Sequence, residues 1–62
     1  MKVGKRYHEE DHYAAIMTID QLREVYTKRG EDAGWINFVI SQLESGIPVS
    51  TRFAELIPIN EN

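Results

Sequence analysis

The sequence predicts a small all-α domain of three main helices, preceded by a fourth segment of uncertain type. Three observations carry that expectation: a capping box that opens a helical repeat at Thr18, a wide apolar arc between Asp32 and Gly46, and a third group of helically spaced apolar residues between Ser50 and Pro58. The expected helices are 18–29, 33–45 and 51–57, within a single domain of residues 1–62.

Residues 1–17 carry two competing patterns. Glu9, Glu10 and Asp11 suit the first turn of a helix, and Tyr13, Ile16 and Met17 then follow at helical spacing. Alternation of Tyr13, Ala15, Met17 and Ile19 fits a strand instead, with Val3 to Tyr7 as its partner. Ala14 and Ala15 favour helix and disfavour strand, which puts the helical reading first.

The first main helix has the clearest start. Thr18 can accept from the backbone three residues on, and Gln21 can reach back to close the capping box. Ile19, Leu22, Val25 and Tyr26 fall within about 120° at 100° per residue. Lys28 and Arg29 suit the negative end of the helix dipole, and Gly30 is a natural left-handed stop. Asp32 caps the second helix, in which Trp35, Ile36, Val39, Ile40 and Leu43 span roughly 140°. Gly46 ends it, Ile47 can fold back onto its last turn, and Pro48 forbids continuation. Ser50 can cap the third helix, where Phe53, Leu56 and Ile57 have helical spacing before Pro58, with Ile59 to Asn62 expected to fray. The expected core is Leu22, Val25, Tyr26, Trp35, Ile36, Val39, Ile40, Leu43, Phe53, Leu56 and Ile57.

Size limits what such a chain can do. A domain of 62 residues buries only about 60% of the surface its unfolded chain exposes, so little apolar area is left over to line a reaction cleft. With no cysteine, disulfides and thiolate metal sites are excluded. No apolar run approaches the roughly 18 residues that a membrane span needs, and no secretory signal is visible, so the expected compartment is the cytoplasm. Net charge is −3 and unevenly placed. Residues 1–31 balance, whereas residues 32–62 set Arg52 alone against Asp32, Glu44, Glu55 and Glu61. That half would repel phosphate backbones, which makes nucleic acid a poor partner.

His8-Glu9-Glu10-Asp11-His12 matches the H-E-x-x-H pattern of zinc hydrolases, with Glu31 or Asp32 as the nearest third ligand. The chemistry needs both histidines on one helix face, an oriented second shell and a groove, which a short N-terminal segment can hardly supply. A solvated acidic turn is the preferred reading, with no metal, no cofactor and no catalytic residue expected. Residues 43–57 have the rhythm of a helix-turn-helix, in which Ser50, Thr51 and Arg52 would meet DNA. A short helix with one base is a weak reader, so this stays an alternative. Phe38 lies about 60° outside the apolar arc of its helix, beside Gln42. Either a neighbouring segment covers it at the rim of the core, or it anchors an interface together with Trp35 and Gln42. The expectation for function is a non-enzymatic regulatory or accessory protein that binds another protein or a second copy of itself.

Overall fold

The computed structural model describes residues 1–59 and shows an α/β fold, not an all-α one. Strands β1 (Lys2–Tyr7) and β2 (Ala15–Thr18) form a hairpin, followed by helices α1 (Ile19–Lys28) and α2 (Ala33–Glu44). Strands β3 (Val49–Ser50) and β4 (Ala54–Ile59) form a second hairpin. The four strands make one antiparallel sheet in the order β2-β1-β4-β3. The two helices cover one face of it, α1 beside β2 and α2 beside β4.

Both central helices follow from local signals. Thr18 ends β2 and caps α1: its hydroxyl accepts from Gln21 N at 3.2 Å, and its own N–H donates to Gln21 Oε1 at 2.9 Å. Asp32 caps α2 by accepting from Trp35 N at 3.0 Å. Each helix ends in the same glycine motif. Gly30 and Gly46 take φ of 79° and 81°, conformations that cost glycine nothing. Glu31 N then donates to Tyr26 O and Ile47 N to Gln42 O, which satisfies carbonyls the helix leaves open.

The strands follow a period of two. Val3 on β1 and Leu56 on β4 point at the helices and are fully buried, with Met17 of β2 and Val49 of β3 packed against the same cluster. On α2, Ile36, Val39, Ile40 and Leu43 supply the opposing layer, joined by Leu22 and Tyr26 of α1. Among the described residues no helix or second sheet covers the other sheet face. There Arg6 and Glu55 are cross-strand partners and pair at 2.6 Å. Gly4 sits beneath the Tyr13 ring, where a β-carbon would come within 2.5 Å of that ring.

Three expectations are corrected. Residues 51–57 form no helix. Thr51 and Ala54 close a two-residue turn: Thr51 N donates to Ala54 O at 2.8 Å, and Ala54 N donates to the Thr51 hydroxyl at 3.2 Å. The spacing of Leu56 and Ile57 fits a helix, but Ala54, Leu56 and Pro58 also alternate, and pairing with six residues of β1 decides in favour of strand. Pro58 is tolerated because β3 reaches only Glu55 and Leu56, so the missing N–H falls beyond that ladder. Residues 2–7 and 15–18 take the strand reading, not the helical one. Two expected core residues are exposed, Phe53 by 70% and Val25 by 38%, and Trp35 and Ile57 are only partly buried. Val3 and Ala54 enter the core in their place. Ile59 belongs to β4, and the rest of the expected fraying tail lies outside the described residues. No helix among the described residues is long and apolar enough to cross a membrane.

This arrangement separates Leu56 from Phe53 sharply. Replacing Leu56 with Ala should cost about 2–5 kcal/mol in urea denaturation, because it empties a closed core. Replacing Phe53 with Ala should stay within about 0.5 kcal/mol. A large loss on Phe53→Ala with a small one on Leu56→Ala would match the helical packing of 51–57 and contradict the sheet.

Candidate functional site

Pairing of β1 with β4 brings the end of β1, the β3–β4 turn and the α1–α2 corner together. Between them lie two adjoining cavities of about 370 and 520 Å³, which share Tyr26, Arg29, Thr51 and Phe53 in their walls. Trp35 borders one, and Lys5 and Tyr7 border the other. The result is an open cleft lined by four aromatic rings and three cations.

Each side chain has a local reason for its place. Lys5 and Tyr7 are two apart on β1 and so project from the same sheet face. Tyr26 is on the last turn of α1 and Trp35 on the first turn of α2. The glycine motif between them folds the chain so that the rings meet at 5.2 Å with a 55° tilt. Arg52 and Phe53 are the two loop residues of the β3–β4 turn, held out of the core by the Thr51 closure.

Every cation in the cleft lies against a ring. Lys5 Nζ stands 5.1 Å from the Tyr7 centroid, Arg29 Cζ 5.7 Å from Tyr26 and Arg52 Cζ 5.6 Å from Phe53. At exposed sites such contacts contribute about 0.5–1 kcal/mol each, enough to orient a side chain and too little to neutralise it. Elsewhere Arg6 pairs with Glu55 at 2.6 Å and Lys28 with Glu24 at 3.0 Å, and Arg23 donates to Asn37 Oδ1 at 2.8 Å. Among the described residues, Lys5, Arg29 and Arg52 have no carboxylate within 4.0 Å. Glu31 is, among the described residues, the one acid in the cleft walls. A chain of net charge −3 therefore collects uncompensated positive charge in one place.

The residues singled out from sequence are divided by the fold. Trp35, Thr51 and Arg52 line the cleft together. Phe38 is 57% exposed on α2, outside both cavities, and Gln42 is partly buried there. Among the described residues no neighbouring segment covers Phe38 as the rim reading expected. Ser50 caps no helix, and its strand partner is Glu55. The helix-turn-helix reading therefore loses its recognition helix. His8 and His12 sit on the β1–β2 loop and not on a helix, so the H-E-x-x-H spacing does not align them. His8 Nε2 lies 2.8 Å from Thr51 O, and His12 Nε2 lies 2.9 Å from Glu10. Asp32 is occupied as a helix cap and Glu31 faces the cleft. Among the described residues, no group of three or more His, Asp or Glu could hold a metal ion. Sequence reasoning missed Lys5, Tyr7, Arg29 and Phe53 as site residues. A signal was present in the recurring neighbourhood of base and ring: Lys5 with Tyr7, Tyr26 with Arg29, Arg52 with Phe53.

Compared with known proteins, the chain matches no family model, no curated protein and no solved structure.

The Tyr26 hydroxyl reports on the charge balance of this cleft. Burial raises its pKa above the ordinary tyrosine value, Arg29 opposes that shift and Glu31 adds to it. The folded state therefore holds the proton more tightly than the unfolded chain. The associated stability is intact below about pH 10 and is lost as pH rises through the higher folded value. Absorbance titration at alkaline pH should show a late component that Tyr26→Phe removes. Arg29→Gln should move that component still later and Glu31→Gln earlier; the opposite ordering would contradict this charge arrangement.

Proposed function

We propose that this protein acts by binding, with no catalysis of its own, and that its partner is a protein offering an acidic segment with an apolar side chain. One observation carries the reading: Lys5, Arg29 and Arg52 are held against rings in a single cleft, with no carboxylate within 4.0 Å of them among the described residues and Glu31 the one acid in the walls. Cations already held against rings lose little entropy on binding, which is how small interfaces gain affinity. Tyrosine, tryptophan and arginine are also the residues that most often anchor protein interfaces. Trp35, Thr51 and Arg52 take this role here. Phe38 stands outside the cleft, and with Gln42 has no part in this recognition. The reading includes no cofactor and no metal, and it places the protein in the cytoplasm.

Rings beside cations also suit single-stranded nucleic acid, on which bases stack. The surroundings of the cleft favour a protein instead. A nucleic acid needs a basic track along its backbone. Here the loop after Tyr7 carries Glu9, Glu10 and Asp11, its first histidine touching Thr51 at the cleft wall, while Glu31 lines the other side. Positive charge so narrowly framed matches a short acidic segment and not a polyanion.

Trp35 is the single tryptophan, so its fluorescence reports directly on the cleft. Titration with a short synthetic peptide of aspartate and glutamate around a central leucine should give a saturable change that weakens with salt. Arg29→Glu with Arg52→Glu should weaken it by at least roughly tenfold, whereas Phe38→Ala should leave it unchanged. Tighter binding of a single-stranded oligonucleotide than of the peptide, or peptide binding that ignores the arginine replacements, would refute the assignment.

A further inference from the structure

The two edges of the sheet are treated very differently by the sequence. β3, at one edge, is two residues long and follows Pro48, so it offers little to pair with. β2, at the other edge, reads Ala15-Ile16-Met17-Thr18, with no charge and no proline. Natural sheets usually blunt such an edge with exactly those residues, because open N–H and C=O groups invite another strand. Among the described residues no segment pairs with the outer side of β2.

What lies beside that edge is equally unpartnered. Between β2 and α1 runs a groove of about 390 Å³ with an apolar floor, in which Ile16 is 57% and Val25 38% exposed. Val25 is a β-branched apolar residue on the outer face of a helix whose other apolar residues point inward. The rim carries one acid and one base, Glu24 and Lys28, one turn apart on α1 and 3.0 Å from each other. The groove shares no residue with the aromatic cleft.

We infer that the β2 edge is a homodimer interface, in which two copies pair β2 with β2 antiparallel into one continuous eight-stranded sheet. The occupant follows from symmetry and charge. A two-fold axis makes a patch meet itself, so the patch must be self-complementary. Antiparallel β2 strands place the two α1 helices side by side in opposite directions. Glu24 of one copy then faces Lys28 of the other, twice, with Val25 of both copies between them, while Ile16 of both copies meets across the opposite sheet face, to which its pairing with Gly4 assigns it. Glu24 and Lys28 already pair within each copy, and the two-fold axis sets each acid beside the other copy's base, whereas a partner of uniform charge would set one of the two against its like. The pairing also closes on itself, since it uses the open edge of each copy and leaves β3 outermost.

A two-fold contact built on a four-residue strand is small, at the low end of specific interfaces, so the dimer should be concentration-dependent. Sedimentation equilibrium of the full chain, from low micromolar to millimolar concentration, should show a shift from monomer to twice the monomer mass. Hydrogen exchange over the same range should slow at amides of β2 and not of β3. Ile16→Lys puts a charge on the edge without touching the core, and should leave the circular dichroism spectrum unchanged while weakening the dimer at least tenfold. Glu24→Lys should also weaken it at least tenfold, and Glu24→Lys with Lys28→Glu should recover it, because the double reversal restores the match. A chain that remains monomeric at millimolar concentration would overturn the inference. So would a dimer that survives Ile16→Lys and Glu24→Lys in a folded protein, since its contact would then lie elsewhere. None of these replacements touches the aromatic cleft, so peptide binding and self-association can fail independently.

Discussion

The β1–β4 ladder holds this protein together, and every other feature depends on it. It joins the start of the chain to its end over six residue pairs, from Lys2 with Ile59 to Tyr7 with Ala54. It sets Val3 and Leu56 side by side as the floor on which α2 lays Ile36, Val39, Ile40 and Leu43. Without the ladder each hairpin would have two strands, and an isolated two-stranded hairpin is marginal in water. Closing so long a loop costs entropy that only the buried layer can offset. With 62 residues and no disulfide, the chain commits Val3, all three of its leucines, Ile36, Val39 and Ile40 to that one layer and leaves Ile16, Val25 and Ile47 exposed.

Much of the helical layer was legible in the sequence, because the signals are local. Thr18 with Gln21, Asp32, Gly30 and Gly46 act within a few residues of themselves, and the structure uses each as its chemistry suggests. The apolar arc of α2 was equally readable. The sheet was harder because its deciding interaction is remote. Leu56 and Ile57 fit a helix as well as a strand, and only Gly4 and Lys5 across the ladder choose between them. Ala14 and Ala15 argued for helix by propensity, and tertiary pairing overrode it. The β3–β4 turn gave no glycine or asparagine to announce itself; the Thr51 hydroxyl does that work by accepting from Ala54. The candidate site was legible only in fragments. Trp35 and Arg52 were visible as residues of interest, but assigned to two different surfaces, since nothing short of the strand pairing places them on one.

The same economy shapes the surface. Packing both helices on one side leaves the opposite sheet face served only by cross-strand partners, with Tyr13 lying over Gly4 and Arg6 against Glu55. Rings that do not fit the single core layer gather instead at its end, where Tyr7, Phe53 and Trp35 frame the cleft. Lys5, Arg29 and Arg52 rest on rings there, with no carboxylate within 4.0 Å among the described residues. A fold of this size spends its core on a single layer, and the cleft at its end is open and charged. The β2 edge is the second consequence of the same geometry, a sheet too short to close and long enough to be extended.

Sheet, core and cleft all stand on the pairing of β1 with β4, and nuclear Overhauser effects test it directly. Close cross-strand contacts should appear between Gly4 and Ile57 and between Lys5 and Leu56, with no sequential helical pattern over residues 51–57. Helical contacts three residues apart between Phe53 and Leu56, with none to residues 2–7, would contradict the sheet and with it the cleft.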